Sequence, residues 1–189
     1  MRLEDTAALV VIDVQRAIDH ASWGERNNPG AEGNIAALLG AWRASGRPIY
    51  HVRHDSTEAE SHYRPGQAGH EFKVEAMPLA GEAVIGKRTN SAFIGTGLEE
   101  RLRAAGVGTL VVAGVITNNS VEATVRMAGN LGFETLVVED ACFTFGRKDW
   151  SGVWRTADEV HAMSLANLAG EYARVVRTAE VLEALPPLA

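Results

Sequence analysis

Three side chains of this 189-residue chain stand where a reaction could be run: the carboxylate of Asp13, the ammonium group of Lys87 and the hydroxyl of Ser120. Asp13 closes one apolar run, Lys87 follows another, and Ser120 ends the turn 114–120. A nucleophile needs a base and an electrostatic partner, and a carboxylate beside an ammonium group can supply both. Asp13 would accept the nucleophile's proton while Lys87 stabilises the resulting charges. A thiol, with a free pKa of about 8.5, suits such a pair. A serine hydroxyl is a far weaker acid, normally activated by an adjacent base such as histidine, and no GxSxG elbow surrounds Ser120. Taken singly, each residue has a plainer reading. Asp13 would be a turn residue or helix cap, Lys87 a surface lysine and Ser120 an N-cap.

The elements that must position these groups are legible as alternating apolar runs and amphipathic stretches, the pattern of βα units around a parallel sheet. Residues 7–13 (AALVVID) read as a central strand buried on both faces. A helix over 34–45 has Ile35, Leu38, Leu39 and Trp42 at helical spacing and stops at Gly46. Further strands are predicted at 48–53, 83–86, 109–114, 134–139 and 173–177, with helices at 98–105, 121–131, 158–169 and the C-terminus. The fold class is therefore α/β: a doubly wound, six-stranded, mainly parallel sheet with helices on both faces, forming one domain over residues 1–189. Ligands of such sheets sit beyond the carboxyl ends of the strands. Asp13, the run Arg53-His54-Asp55, Lys87, the 114–120 turn and Asp140 all fall there. The long irregular stretches 56–72 and 144–154 are expected to fold over that edge as lids.

Composition narrows the function. The net charge of -6 and the lack of a Lys/Arg cluster argue against nucleic-acid and anionic-membrane partners. A single cysteine, Cys142, excludes an internal disulfide and reads as a core residue. No apolar run is long enough for a membrane span, and the charged Glu4-Asp5 pair does not suit a signal peptide, so a cytoplasmic location is expected.

VVIDVQ at 10–15, GKRTNSAF at 86–93, GVITNNSVEATVRMA at 114–128 and ADEVHAMSLANLAGEYA at 157–173 resemble four ordered signatures of the isochorismatase-like hydrolases. The resemblance covers most of the chain. It implies an Asp-Lys-Cys triad in which Asp13 and Lys87 match the first two members and Ser120 takes the cysteine's place. It also implies backbone oxyanion donors at Ile116 and Ser120, a cis peptide between Val115 and Ile116, and a homo-oligomer such as a dimer or tetramer.

Trp23, Arg53, Tyr63, Phe72, Phe145, Trp150 and Trp154 are the candidates for lining a small-molecule pocket, since exposed aromatics must pack, seal a lid or meet another subunit. His51, His54, Asp55, His62 and His70 lack metal-ligand spacing, and the D-x-H pair of the nicotinamidase branch is absent, so no metal or other cofactor is expected. His161 reads as structural. Ser120 leaves three functions open. It replaces a cysteine of the natural protein, and the chain is a C–N hydrolase of small amides or carbamoyl compounds. Or serine is native and Asp13 acts as an acid on a vinyl ether. Or the chain is a pseudoenzyme that binds a small molecule.

Overall fold

Five consecutive apolar residues, Ala8–Ile12, are all buried and form the first strand, β1. Its alternate side chains enter different cores: Ala8, Val10 and Ile12 pack in one cluster, Leu9 and Val11 in another. A strand covered on both faces cannot show polar alternation, which explains its continuous apolar sequence. The computed structural model describes residues 2–185. Met1 and residues 186–189, which the single-domain expectation also spans, lie outside the described residues.

In chain order the remaining elements are α1 (Ala31–Ser45), β2 (Ile49–His54), β3 (Ala83–Lys87), α2 (Leu98–Ala104), β4 (Thr109–Val115), α3 (Glu122–Asn130), β5 (Glu134–Phe143), β6 (Arg147–Lys148), β7 (Trp154–Arg155), α4 (Ala157–Leu168), β8 (Arg174–Val176) and α5 (Thr178–Ala184). Six strands form one sheet in the order β3-β2-β1-β4-β5-β8, every pairing parallel. Helix α1 contributes Ile35, Leu38, Leu39 and Trp42 to one core, joined by Val181 of α5. On the opposite face α2, α3 and α4 contribute Leu98, Leu102, Val125, Ala128, Leu165 and Leu168. The fold is the doubly wound α/β sheet expected. Its strand order reverses between β1 and β4, where Asp13 and the segment leading to Ser120 emerge side by side.

Two local expectations are corrected. The fifth strand does not stop at Glu139. It slips register from Val112–Val137 to Gly114–Cys142 and continues to Phe143. The polar pair Glu139-Asp140 marks this irregularity, and Asp140 there accepts hydrogen bonds from the backbone N–H and hydroxyl of Thr178, at 2.8 and 2.7 Å. Segment 144–154, expected as a lid, instead closes into the antiparallel β6–β7 ribbon. Asp149 organises its turn, accepting from Ser151 and Val153.

Candidate active site

Asp13 leaves β1 with a positive φ of 54°, a conformation disfavoured for any residue but glycine. Its amide donates to the Val52 carbonyl at 2.9 Å, so the backbone is held there by β2 while the side chain meets Lys87. Across the switch point, Gly114 has φ 127° and passes so close to Ile12 that a Cβ would collide with that residue's carbonyl oxygen. Only glycine permits this approach of β4 to β1. The Val115–Ile116 peptide that follows is cis. A π-helical turn, Thr117–Val121, then presents Ser120. The turn is anchored from α4: His161 Nδ1 lies 2.9 Å from the Thr117 hydroxyl, and Ser164 donates to the Thr117 carbonyl at 3.2 Å. His161 is thus a support of the turn, reached in sequence through the capping box of Thr156 and Glu159 that starts α4.

Lys87 is the last residue of β3 rather than the first beyond it, and its side chain is fully buried. Its Nζ lies 2.6 Å from Asp13 Oδ2, 3.1 Å from Ser120 Oγ, 3.0 Å from the Thr89 carbonyl and 3.4 Å from His54 Nδ1. Asp13, Lys87 and Ser120, separated by 74 and 33 positions along the chain, share one contact point. Burial raises the Asp13 carboxyl above its ordinary value, and the charge and hydrogen bond of Lys87 oppose that rise. Ser120 also favours the ionised carboxylate, but no hydrogen bond of good geometry reaches Asp13 Oδ1, which is buried without a partner.

A cavity of about 520 Å³ opens over these groups, with Asp13, Ser120, Ile116 and His54 among its walls. The sequence placed His54, with Arg53 and Asp55, at the ligand edge of the sheet but gave it no role beyond the rejected metal site. Burial first, then the Lys87 charge, holds its imidazole down at about 4, so it is neutral at pH 7. Gln15, inside the first motif, is fully buried and fixes His54: Nε2 donates to the His54 and His70 carbonyls, and Oε1 accepts from the His54 amide at 2.8 Å. Conserving that geometry needs an amide side chain, a requirement the sequence pattern alone did not express.

The pocket candidates separate. Trp23 and Tyr63 line the cavity, joined by Ser56, Glu58, Glu60, Ser61 and His62 of the 56–72 segment, so that lid forms as expected. Arg53, Phe72, Phe145, Trp150 and Trp154 do not line it. Arg53 ion-pairs with Asp55 at 3.0 Å; Phe72 packs edge-on to buried His51; Phe145 stacks behind Trp23. Trp150 and Trp154 stand exposed on the β6–β7 ribbon. They were expected at the pocket because the 144–154 segment was read as a lid. Cys142 is buried within β5, its thiol pushed up to about 12 by burial, and has no nucleophilic form at neutral pH. Among the described residues no three His, Cys, Asp or Glu side chains are grouped to hold a metal ion.

A family model described as the isochorismatase domain matches residues 7–180. A crystal structure of a hydrolase of the isochorismatase family from Chromobacterium violaceum superposes with a TM-score of 0.95 at 62% identity, covering 97% of this chain and 96% of that one. The isochorismatase family protein YrdC of Bacillus subtilis is 39% identical over 180 residues, 95% of this chain and 96% of its own length. More distantly, the ureidoacrylate amidohydrolase RutB of Variovorax paradoxus is 28% identical over 175 residues, 74% of this chain and 69% of its own.

Proposed function

This chain belongs to the isochorismatase family of hydrolases, and from that premise we propose that it cleaves the C–N bond of a small amide or carbamoyl-type substrate. The observation that carries the reading is the contact of Lys87 Nζ with both Asp13 and Ser120 at the floor of one cavity. In the proposed reaction the group at position 120 attacks the carbonyl carbon and Asp13 takes its proton. Lys87 balances the carboxylate and the developing negative charge, and the backbone N–H groups of Ile116 and Ser120 receive the oxyanion. Collapse expels the amine with the proton from Asp13, and water then releases the acid. The segment Thr117-Asn118-Asn119, which follows the amide-hydrolase form of the motif, and the amidohydrolase among the relatives support this chemistry.

The mechanism needs a nucleophile that Asp13 can deprotonate. A thiol meets that need and a serine hydroxyl does not, so in this reading Ser120 stands in place of a cysteine. Ser120→Cys is expected to raise amidase turnover by orders of magnitude across a broad panel of small amides, measured as released ammonia. No gain on any member would sink the proposal.

One observation favours a second reading. The raised carboxyl of Asp13 suits an acid that protonates a vinyl ether, with serine native. Isochorismate turnover that Asp13→Asn abolishes would establish it. A role limited to binding a small molecule would be eliminated by a covalent adduct on Ser120 in intact-protein mass spectrometry after exposure to amides. Among the described residues no helix is long and apolar enough to cross a membrane. The working protein is proposed to be a homo-oligomer, a reading supported by the exposed tryptophans of the β6–β7 ribbon.

A further inference from the structure

The rim of the cavity has a charge that the hydrolytic machinery does not use. Glu58 and Glu60, on the 56–72 segment, are exposed and line the opening. Among the described residues neither carboxylate is in an ion pair. The one arginine of the same segment, Arg64, donates to the Ala59 carbonyl and does not line the cavity. Around the two glutamates the segment is held in shape by hydrogen bonds: the Glu58 amide donates to Ser56 Oγ, the Tyr63 amide to Ser61 Oγ, and the Ser56 amide to the Tyr63 carbonyl.

Deeper in, the cavity is short of positive charge. No lysine or arginine is among its walls, and the buried ammonium of Lys87 already has Asp13 Oδ2 as its nearest partner at 2.6 Å. The His54 wall is neutral at pH 7. A separate observation at the floor points the same way: Asp13 Oδ1 is a buried acceptor with no hydrogen-bond partner, on a residue that lines the cavity. It is placed to receive an N–H donor from a bound molecule. Between floor and rim stand two aromatic side chains. Trp23 is pinned by its indole N–H to the Ala17 carbonyl at 2.9 Å and by stacking on Phe145; Tyr63 is pinned by its hydroxyl to the Asp13 carbonyl. Rigid aromatic surface beside carboxylates is the composition that recognises organic cations.

We propose that the substrate is a small amide bearing a protonated amine remote from the scissile bond, its cation held at the rim by Glu58 and Glu60 beside Trp23 and Tyr63. The inference rests on the amide-hydrolase reading and gives it a substrate class. It also sets this cavity against substrates that bring carboxylates to it, isochorismate included, because an anion would meet the carboxylates of Glu58 and Glu60 with no lysine or arginine among the walls to balance them.

The test separates binding from turnover. Three amides of matched length serve as probes: 5-aminopentanamide, pentanamide and glutaric acid monoamide, respectively cationic, neutral and anionic at pH 7. Their affinities for the Ser120 protein are titrated by saturation-transfer NMR at low ionic strength. The cationic amide is expected to bind about tenfold more tightly than the anionic one, with the neutral amide between, and added salt should shrink the gap because both glutamates face solvent. The double variant Glu58→Gln, Glu60→Gln should bring the cationic and neutral amides within about twofold, the charge attraction having gone. The proposal is overturned if the anionic amide binds as well as the cationic one, if the cationic amide does not bind, or if the preference survives in the double variant. Hydrolysis by the Ser120→Cys form is scored separately. Hydrolysis without charge preference in kcat/KM overturns the substrate class and leaves the hydrolase reading intact. Cation-selective binding that Glu58 and Glu60 control, with no hydrolysis of any amide, supports the rim site and overturns the hydrolase reading.

Discussion

Four acceptors compete for three protons at Lys87. An ammonium group has three N–H bonds, and Asp13 Oδ2, the Thr89 carbonyl, Ser120 Oγ and His54 Nδ1 all lie within 3.4 Å of it. The longest contact, to His54, is the one to yield. The short contact to Asp13 therefore sets the protonation chemistry, and its sign can be worked out. Burial raises the Asp13 carboxyl, so the base is lost at a higher pH than an ordinary aspartate near 3.9 would be. In the Ser120→Cys form, the acid limb of kcat/KM should lie above that ordinary value, and Asp13→Asn should remove about 10²–10⁴-fold of activity, the usual contribution of a general base. An acid limb unchanged in Asp13→Asn would assign it to another group. Lys87→Met should cost both activity and stability, since it leaves a carboxylate buried without its cation; about 3–5 kcal/mol in urea denaturation is the usual scale. At this scale the sequence was most informative where motif and chemistry coincide, at Asp13, Lys87 and Ser120. It put His54 at the sheet edge and Gln15 inside a motif but gave neither a role, because the clamp they form between the ends of β1 and β2 is encoded by no local pattern.

Between elements, the site depends on polar joints that are half-buried or buried. Glu82, one residue before β3, accepts from Arg43 of α1 at 2.7 and 2.9 Å and lies 2.8 Å from His51 of β2. The Arg43 hydrogen bonds outweigh the opposing effect of burial and hold the Glu82 carboxyl at about 2. The folded state thus binds fewer protons there than the unfolded chain. The stabilisation is complete above the ordinary glutamate value of 4.5 and is lost as pH falls from there through about 2. Glu82→Gln should lose about 2 kcal/mol at pH 7, the scale of hydrogen bonds to a charged group, and much less at pH 2.5, both read by urea denaturation. An equal loss at both pH values would show that the carboxylate's charge is irrelevant. Such joints also limit what a one-dimensional pattern can reveal. The central strands were legible because double-sided burial forces apolar runs, as in β1 and β4. The end of β5 was not, because Glu139 and Asp140 interrupt the run while the strand continues through a register slip to Phe143. Segment 144–154 was misplaced because loop length says nothing of direction; Asp149 folds it onto itself as a ribbon.

Over the whole molecule, the two long excursions from the sheet edge divide the work. Segment 56–72 lines the cavity, whereas the β6–β7 ribbon gives it no wall and leaves Trp150 99% exposed and Trp154 61% exposed. Val153 and Met163 add apolar surface at 51% and 64% exposure. Single exposed apolar residues are ordinary, but Trp150, Val153 and Trp154 fall within five positions of one ribbon, an exposure that solvent does not favour. Tryptophan is also the residue type most enriched at the energetic centres of interfaces. If the chain self-associates as proposed, this ribbon is where the largest loss of exposed apolar area can be gained. Sedimentation velocity should therefore give a mass above that of one chain. Replacing both tryptophans by serine should lower it toward one chain while circular dichroism stays unchanged, because neither side chain is part of a core. A parent protein that sediments as a single chain would remove the oligomer, and an oligomer indifferent to both replacements would move its interface elsewhere. Because the cavity walls come from segment 56–72, from Trp23 and from the residues at and beyond the ends of β1, β2, β3 and β4, and none is on the ribbon, cation-selective binding at the rim should persist in the double serine variant. Its loss there would mean that a neighbouring chain completes the site.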